Sequence, residues 1–292
     1  MNGRTRCALS WPACPKPTLP TGCAASIPDG GRKGAMPDPV LMIGCGRMGG
    51  AIARTLVASH RVLAFDPHAA ELPAGVERLS ALADAPCCGT IILAVKPQTF
   101  ATIAPELAAL ARPGTLFLSI MAGIPLARLA AAAGADASIV RAMPNTPAAI
   151  GHGISAAVAL PAVTQAQRAA VDRILHPAGA LLWLEREGDL DAVTALSGSG
   201  PAYFFRFTEA LIRAGIAEGL DGVTATRLAR QTFIGAARLA EVESAGLDEL
   251  RRQVTSPGGT TAAGLGAMEE TIDTLAGQVV QAAAARSREL VG

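Results

Sequence analysis

Apolar residues in this chain fall in short unbroken runs, each followed by a stretch of helical composition. The run at 40–43 leads through Gly44-Cys45-Gly46-Arg47-Met48-Gly49 into a helix-forming segment at 51–59. The run at 61–65 stops at Asp66, and the run at 90–95 stops at Lys96-Pro97. Two more, at 115–121 and 138–142, follow, the second leading into MPNTPAAIG. Runs of this length predict strands buried on both faces. Helical segments near 79–85, 98–111 and 125–133, the last closed by Gly134, alternate with them, which is the pattern of a parallel sheet covered by helices. Two further strands, 154–160 and 180–184, flank a helix that opens on Thr164-Gln165-Ala166-Gln167, the capping-box spacing. Past Asp189 the strand signal disappears, and 201–218, 224–245, 248–254 and 261–290 all read as helix.

The glycine turn carries the first chemistry. Gly44 lets the chain leave the strand sharply, Gly46 has no side chain to obstruct a pyrophosphate, and Gly49 allows close packing of helix on strand. An anion there would sit on free backbone N–H groups at the positive end of a helix. Asp66 lies 20 residues past Gly46, where such folds place the carboxylate that grips a ribose 2′-hydroxyl. The expected architecture is therefore α/β: a Rossmann-type dinucleotide-binding domain over 40–187 and an all-helical dimerisation domain over 188–292.

Helix 201–218 points to self-association. Arg206, Glu209 and Arg213 share one face, and most other positions are apolar or small, so the helix needs cover on most sides. A domain of about 100 residues supplies too little of it, and helices of two chains are expected to interlock. The alternative is a central helix within one subunit.

Composition adds limits. Half of the 292 residues are hydrophobic but only 3% are aromatic, so the core is built from Ala, Leu, Val and Ile. A net charge of +1 gives no electrostatic case for nucleic acid or membrane, and no apolar run approaches a bilayer span. Residues 1–35 hold a net +4, which leaves the remainder at −3. The 1–39 tail mixes Pro, Cys, Gly and Arg without periodicity and is expected to be disordered; translation starting at Met36 would account for it. The six cysteines form no CxxC pair and the four histidines are scattered. No metal site or disulfide framework is suggested, and a cytosolic protein is expected.

Two motifs in the helical half stand out: Leu196-Ser197-Gly198-Ser199-Gly200-Pro201, and Val254-Thr255-Ser256-Pro257-Gly258-Gly259-Thr260-Thr261. The second offers consecutive N–H groups and hydroxyls at a helix start, a nest suited to a carboxylate. A plain helix–helix turn capped by threonine is the alternative.

VLMIGCGRMGGAI, AVKPQ, SIMAGI, RAMPNTPA, AVTALSGSGPAYFF and VTSPGGTTAAGL, in this order over 40–290, resemble the pyrroline-5-carboxylate reductases. The resemblance implies hydride transfer from NADPH or NADH to the ring imine of 1-pyrroline-5-carboxylate, giving L-proline in the last step of its synthesis. It also implies an interlocked homodimer or a higher oligomer built from dimers. Ile43, Gly44, Cys45, Gly46, Arg47 and Met48 would hold the pyrophosphate. Ala94, Val95, Lys96 and Pro97, with Ile120, Met121 and Ala122, would line the cofactor cleft. Ser256 and the backbone of Gly258, Gly259, Thr260 and Thr261 would hold the substrate carboxylate, the Thr261 hydroxyl reaching the ring nitrogen. Asn145 of MPNTP would either belong to the site or only brace its loop.

Neither motif of the helical half contains a titratable group, so positioning rather than general acid catalysis is expected to supply most of the rate. Asp66 repels a 2′-phosphate and its neighbours Pro67 and His68 include no arginine, which leans toward NADH. Two other readings compete. β-Hydroxyacid dehydrogenases and imine reductases share the glycine fingerprint but lack TSPGGTT, and a nucleotide-sensing dimer would bind cofactor without turnover.

Overall fold

The computed structural model describes residues 38–291. The expectation for the amino-terminal tail, with Cys7, Cys14 and Cys23, lies outside the described residues. Eight strands form one sheet: β1 (Val40–Ile43), β2 (Val62–Phe65), β3 (Val76–Arg78), β4 (Thr90–Leu93), β5 (Leu116–Ser119), β6 (Ser138–Met143), β7 (Gly153–Ala159) and β8 (Gly179–Trp183). Their order is β3-β2-β1-β4-β5-β6-β7-β8. The first six in this order are parallel neighbours, the arrangement of a dinucleotide-binding sheet whose chain path reverses between β1 and β4.

Strand period divides the core in two. Leu41 and Ile43 of β1 face one side with Phe100, Leu107, Phe117 and Leu129, while Val40 and Met42 face the other with Ile52, Leu56, Val171 and Ile174. Helices α2 (Phe100–Leu110) and α3 (Leu126–Ala133) cover the first face; α1 (Arg47–Leu56) and α4 (Gln165–Leu175) cover the second. The capping box that opens α4 is present: Gln167 N–H donates to Thr164 Oγ1 at 3.2 Å, and Thr164 N–H donates to Gln167 Oε1 at 2.9 Å. Gly134 ends α3 at φ +111°, as expected.

The sheet departs from the sequence reading in three places. β7 runs antiparallel to β6, because the link 144–152 holds only a 3₁₀ segment, Thr146–Ile150, and is too short for a parallel crossover. β3 has no counterpart in that reading, since Val-Glu-Arg at a sheet edge is too short and too polar to stand out. The helix expected near 79–85 is a single 3₁₀ turn, Leu82–Asp84.

The helical half comprises α5 (Asp189–Val193), α6 (Gly200–Ala217), α7 (Gly222–Val242), α8 (Leu247–Gln253), α9 (Thr260–Glu269) and α10 (Ile272–Val291). A π-helical turn, Thr194–Gly198, joins α5 to α6, so LSGSGP lies within a nearly continuous helix rather than ahead of one. The segment expected as one helix over 261–290 is broken between α9 and α10. Asp221 caps α7, accepting from the N–H groups of Val223 and Thr224 at 3.0 Å each. α6 and α7 pack through Phe204 and Phe233, whose ring centroids lie 6.1 Å apart. Within one chain α6 does not gain the expected cover. Only Gly200 and Thr208 are buried, and Phe204, Phe205, Phe207 and Leu211 remain exposed.

Candidate active site

Each glycine of the turn has a distinct steric job. Gly44 sits at φ +92°, and a Cβ there would come within 2.7 Å of the Ala94 and Val95 backbone. A Cβ on Gly49 would collide with the Gly44 carbonyl. A Cβ on Gly46 would meet nothing within 4 Å; it would enter the open cleft. Gly46 precedes α1 without any side chain capping the helix, so the first-turn N–H groups are available to an anion.

The cleft at the β1–β4 reversal has a volume of about 830 Å³ and is lined by Ile43, Gly44, Cys45, Gly46, Asp66, Ala94, Val95 and Lys96. Its far wall comes from Thr99, Thr102, Ile103 and Glu106 at the start and along one face of α2. None of these four is among the residues expected from the sequence, although their spacing of three and four residues marks a single helical face. Arg47, Met48 and Pro97 stand beside the cleft rather than in its lining. Ile120 and Met121 are buried in opposite faces of the core, so only their backbone and Ala122 remain for a ligand.

Asp66 is more engaged than the ribose role requires. Its Oδ2 accepts from Cys45 N–H at 2.7 Å, and Oδ1 accepts from the N–H groups of His68 and Ala69 at 2.9 and 3.1 Å. The Cys45 N–H is thus engaged by Asp66, whereas the N–H groups of Gly46, Arg47 and Met48 lie at the uncapped start of α1. Burial pushes the Asp66 carboxyl up, but the donated N–H groups of Cys45, His68 and Ala69 outweigh it and hold the pKa below the usual value. Cys45 goes the other way: burial, then the neighbouring Asp66 charge, raise its thiol pKa and keep it neutral. Arg78 at the end of β3 donates to the carbonyls of Asp66 and Ala69 at 3.2 and 2.9 Å. An arginine thus stands beside the β2 turn after all, delivered by sheet pairing.

The second constellation lies elsewhere. Gly258, at φ +70°, turns the chain into α9, and Gly259 precedes Thr260 with no side-chain cap. Neither Thr260 nor Thr261 caps α9, while Thr255 Oγ1 donates to Arg251 C=O at 2.6 Å and closes α8. Gly259 N–H is taken up by Ser256 C=O at 3.0 Å, leaving the N–H groups of Thr260 and Thr261 at the helix start. Ser256, Thr260 and Thr261 are exposed, and none of them lines the cofactor cleft of the same chain. Asn145 is buried and bridges two segments: its Nδ2 donates to Ser197 C=O at 3.2 Å, and its Oδ1 accepts from Ile154 N–H at 2.9 Å.

A six-strand parallel order with a glycine-lined cleft at its reversal point defines a dinucleotide-binding fold. Comparisons with known proteins narrow that class. Residues 39–123 match the family described as NADP oxidoreductase, coenzyme F420-dependent, and residues 187–290 match pyrroline-5-carboxylate reductase dimerisation. A pyrroline-5-carboxylate reductase of Pseudomonas aeruginosa is 45% identical over 214 residues, 72% of this chain and 76% of that one. The structure of a pyrroline-5-carboxylate reductase from Coxiella burnetii superposes with a TM-score of 0.82 at 31% identity, covering 87% of this chain and 99% of that one. That of the Plasmodium falciparum enzyme with NADP bound gives 0.76 at 27% identity, covering 89% and 100%. The chain belongs to the pyrroline-5-carboxylate reductase family.

Proposed function

We infer that this chain reduces the ring imine of 1-pyrroline-5-carboxylate to L-proline with NAD(P)H, the reaction of its family. The observation that carries the cofactor half is the uncapped start of α1 opening into space that a Gly46 Cβ would fill. The N–H groups of Gly46, Arg47 and Met48 hold the pyrophosphate, and Ala94, Val95, Lys96, Pro97 and the 120–122 backbone shape the rest of the cleft. When bound, the reduced nicotinamide supplies a hydride to the imine carbon, while a proton reaches the ring nitrogen from solution or through water.

The nest before α9 holds the substrate. Ser256 and the Gly258–Thr261 backbone receive the carboxylate through neutral donors, and the Thr261 hydroxyl hydrogen-bonds the ring nitrogen. Because this nest is exposed and absent from the cleft lining of its own chain, the working site takes its nest from a second copy. The exposed apolar residues of α6 and α7, Phe204, Phe207, Leu228 and Ile234 among them, form the surface on which two copies interlock. A domain boundary near residue 188 separates the two roles. The place of this chemistry is the cytosol, and no helix among the described residues is long and apolar enough to cross a membrane.

Cofactor choice rests on a balance at the β2 turn. Asp66 disfavours a 2′-phosphate, whereas Arg78 beside it favours one, and the carboxylate already serves three N–H groups. The lean toward NADH from Asp66 alone is therefore weakened, and use of both cofactors follows. Replacing Gly46 by Val tests the cleft: fluorescence titration should lose cofactor binding while the unfolding midpoint stays near that of the parent. Retained binding would move the pyrophosphate elsewhere.

A further inference from the structure

At the π-helical turn Thr194–Gly198 the Ser197 carbonyl lacks its usual helical donor. The Ser197 carbonyl would ordinarily accept from the residue four places on, but that residue is Pro201, which has no N–H. The ladder has shifted here, with Ser199 N–H donating to Thr194 C=O at 2.9 Å. The missing donor arrives from the other half of the molecule, as Asn145 Nδ2 at 3.2 Å. The far end of the same carboxamide accepts from Ile154 N–H at 2.9 Å, so both ends are fixed and the group cannot flip without losing both bonds.

Asn145 follows β6 at the carboxyl edge of the sheet. In the β5–β6 register Ser119 pairs with Arg141, so the end of β6 runs level with 120–122 of the cofactor cleft and Asn145 stands just beyond it. Met143 reinforces the contact, since its Cε lies 3.0 Å from where a Gly198 Cβ would be. One buried amide therefore ties the cofactor edge of the sheet to the first turn of the helical half. We propose that Asn145 is a positioning residue for hydride transfer: through the carbonyl that Pro201 leaves free it sets the cofactor edge against the helical half on which the second copy, and with it the nest serving this cleft, is docked.

This rests on the imine-reductase reading above, and a double-mutant cycle separates the two. Asn145→Ala removes the tie; adding Pro201→Ala returns an N–H to the Ser197 carbonyl from within the helix, repairing local satisfaction without restoring the tie. Thermal unfolding of the unliganded protein should fall in Asn145→Ala and recover in the double variant, while Ile154 amide protection against hydrogen exchange stays lost in both. Turnover on 1-pyrroline-5-carboxylate should drop about tenfold to a hundredfold, the scale of misplaced reactants. The isotope effect with deuterated cofactor should grow, and relative to Pro201→Ala neither change should recover in the double variant. Should Asn145→Ala fail to fold, the double variant decides alone. Recovery of turnover together with stability would overturn the proposal and reduce Asn145 to a structural brace. A parent protein that binds cofactor but does not reduce this substrate would instead overturn the reading beneath it.

Discussion

Single atoms decide the site. In the proposed site Thr261 acts through a hydroxyl and an N–H, with no carboxylate or imidazole in its motif to serve as an acid. Thr261→Ala should lower kcat/KM by about one to two orders of magnitude, the scale of a lost polar contact to the reacting group. An unchanged kcat/KM in steady-state assays would remove Thr261 from the site. Gly44 and Gly46 make a sharper pair: Gly44→Ala places a Cβ 2.7 Å from backbone at a left-handed φ and should destabilise the fold, whereas Gly46 faces open space. Asp66 adds a pH dependence. Its folded pKa is depressed, so its contribution to stability is complete above the ordinary value of about 3.9 and is lost as pH falls through the lower folded value. Asp66→Asn should flatten this part of the acid-unfolding profile. Much of this was legible beforehand, because glycine spacing and the distance to Asp66 are properties of the chain. The partners of Asp66 were not, since Cys45 and Arg78 reach it only through strand pairing.

Among the elements, runs of apolar residues announced every strand except β3, and Thr164 and Gly134 marked the ends of their helices through local bonding alone. Direction was another matter. β7 is antiparallel because of the length of the link before it, a constraint that periodicity does not contain. The π turn was equally hidden: Pro201 reads as a helix start, and only the Asn145 contact shows why a carbonyl four residues earlier can go without its helical partner. An ion pair also fixes the end of the sheet region just before the helical half. Arg141 on β6 is buried, and its Nη1 lies 2.7 Å from Glu187 Oε1, which also accepts from Leu126 N–H at the start of α3, again at 2.7 Å. Glu187→Gln should cost about 2–3 kcal/mol in denaturant unfolding, below the full cost of a broken buried pair because Glu187 is partly exposed. A change within error would show that Arg141 finds another partner.

At the scale of the whole molecule, a single chain is incomplete in two respects. Its helical half leaves large apolar residues on α6 and α7 in contact with solvent, and the nest proposed for the substrate is not part of its own cofactor-cleft lining. Burial of α6 was inferred from its narrow polar stripe, and that inference requires a second copy, because one chain leaves the helix mostly exposed. Light scattering should give a dimer or larger species, and Phe204→Asp with Phe207→Asp should yield a smaller species that binds cofactor yet turns over poorly. Mixing Gly46→Val chains with Thr261→Ala chains should restore activity above either alone, since one combination of copies then has an intact cleft facing an intact nest. The most direct measurement is the initial rate of NADH and NADPH oxidation by the parent protein with 1-pyrroline-5-carboxylate. The expected result is consumption of cofactor matched mole for mole by proline, with both cofactors used; tight cofactor binding without proline formation would contradict the assigned reaction.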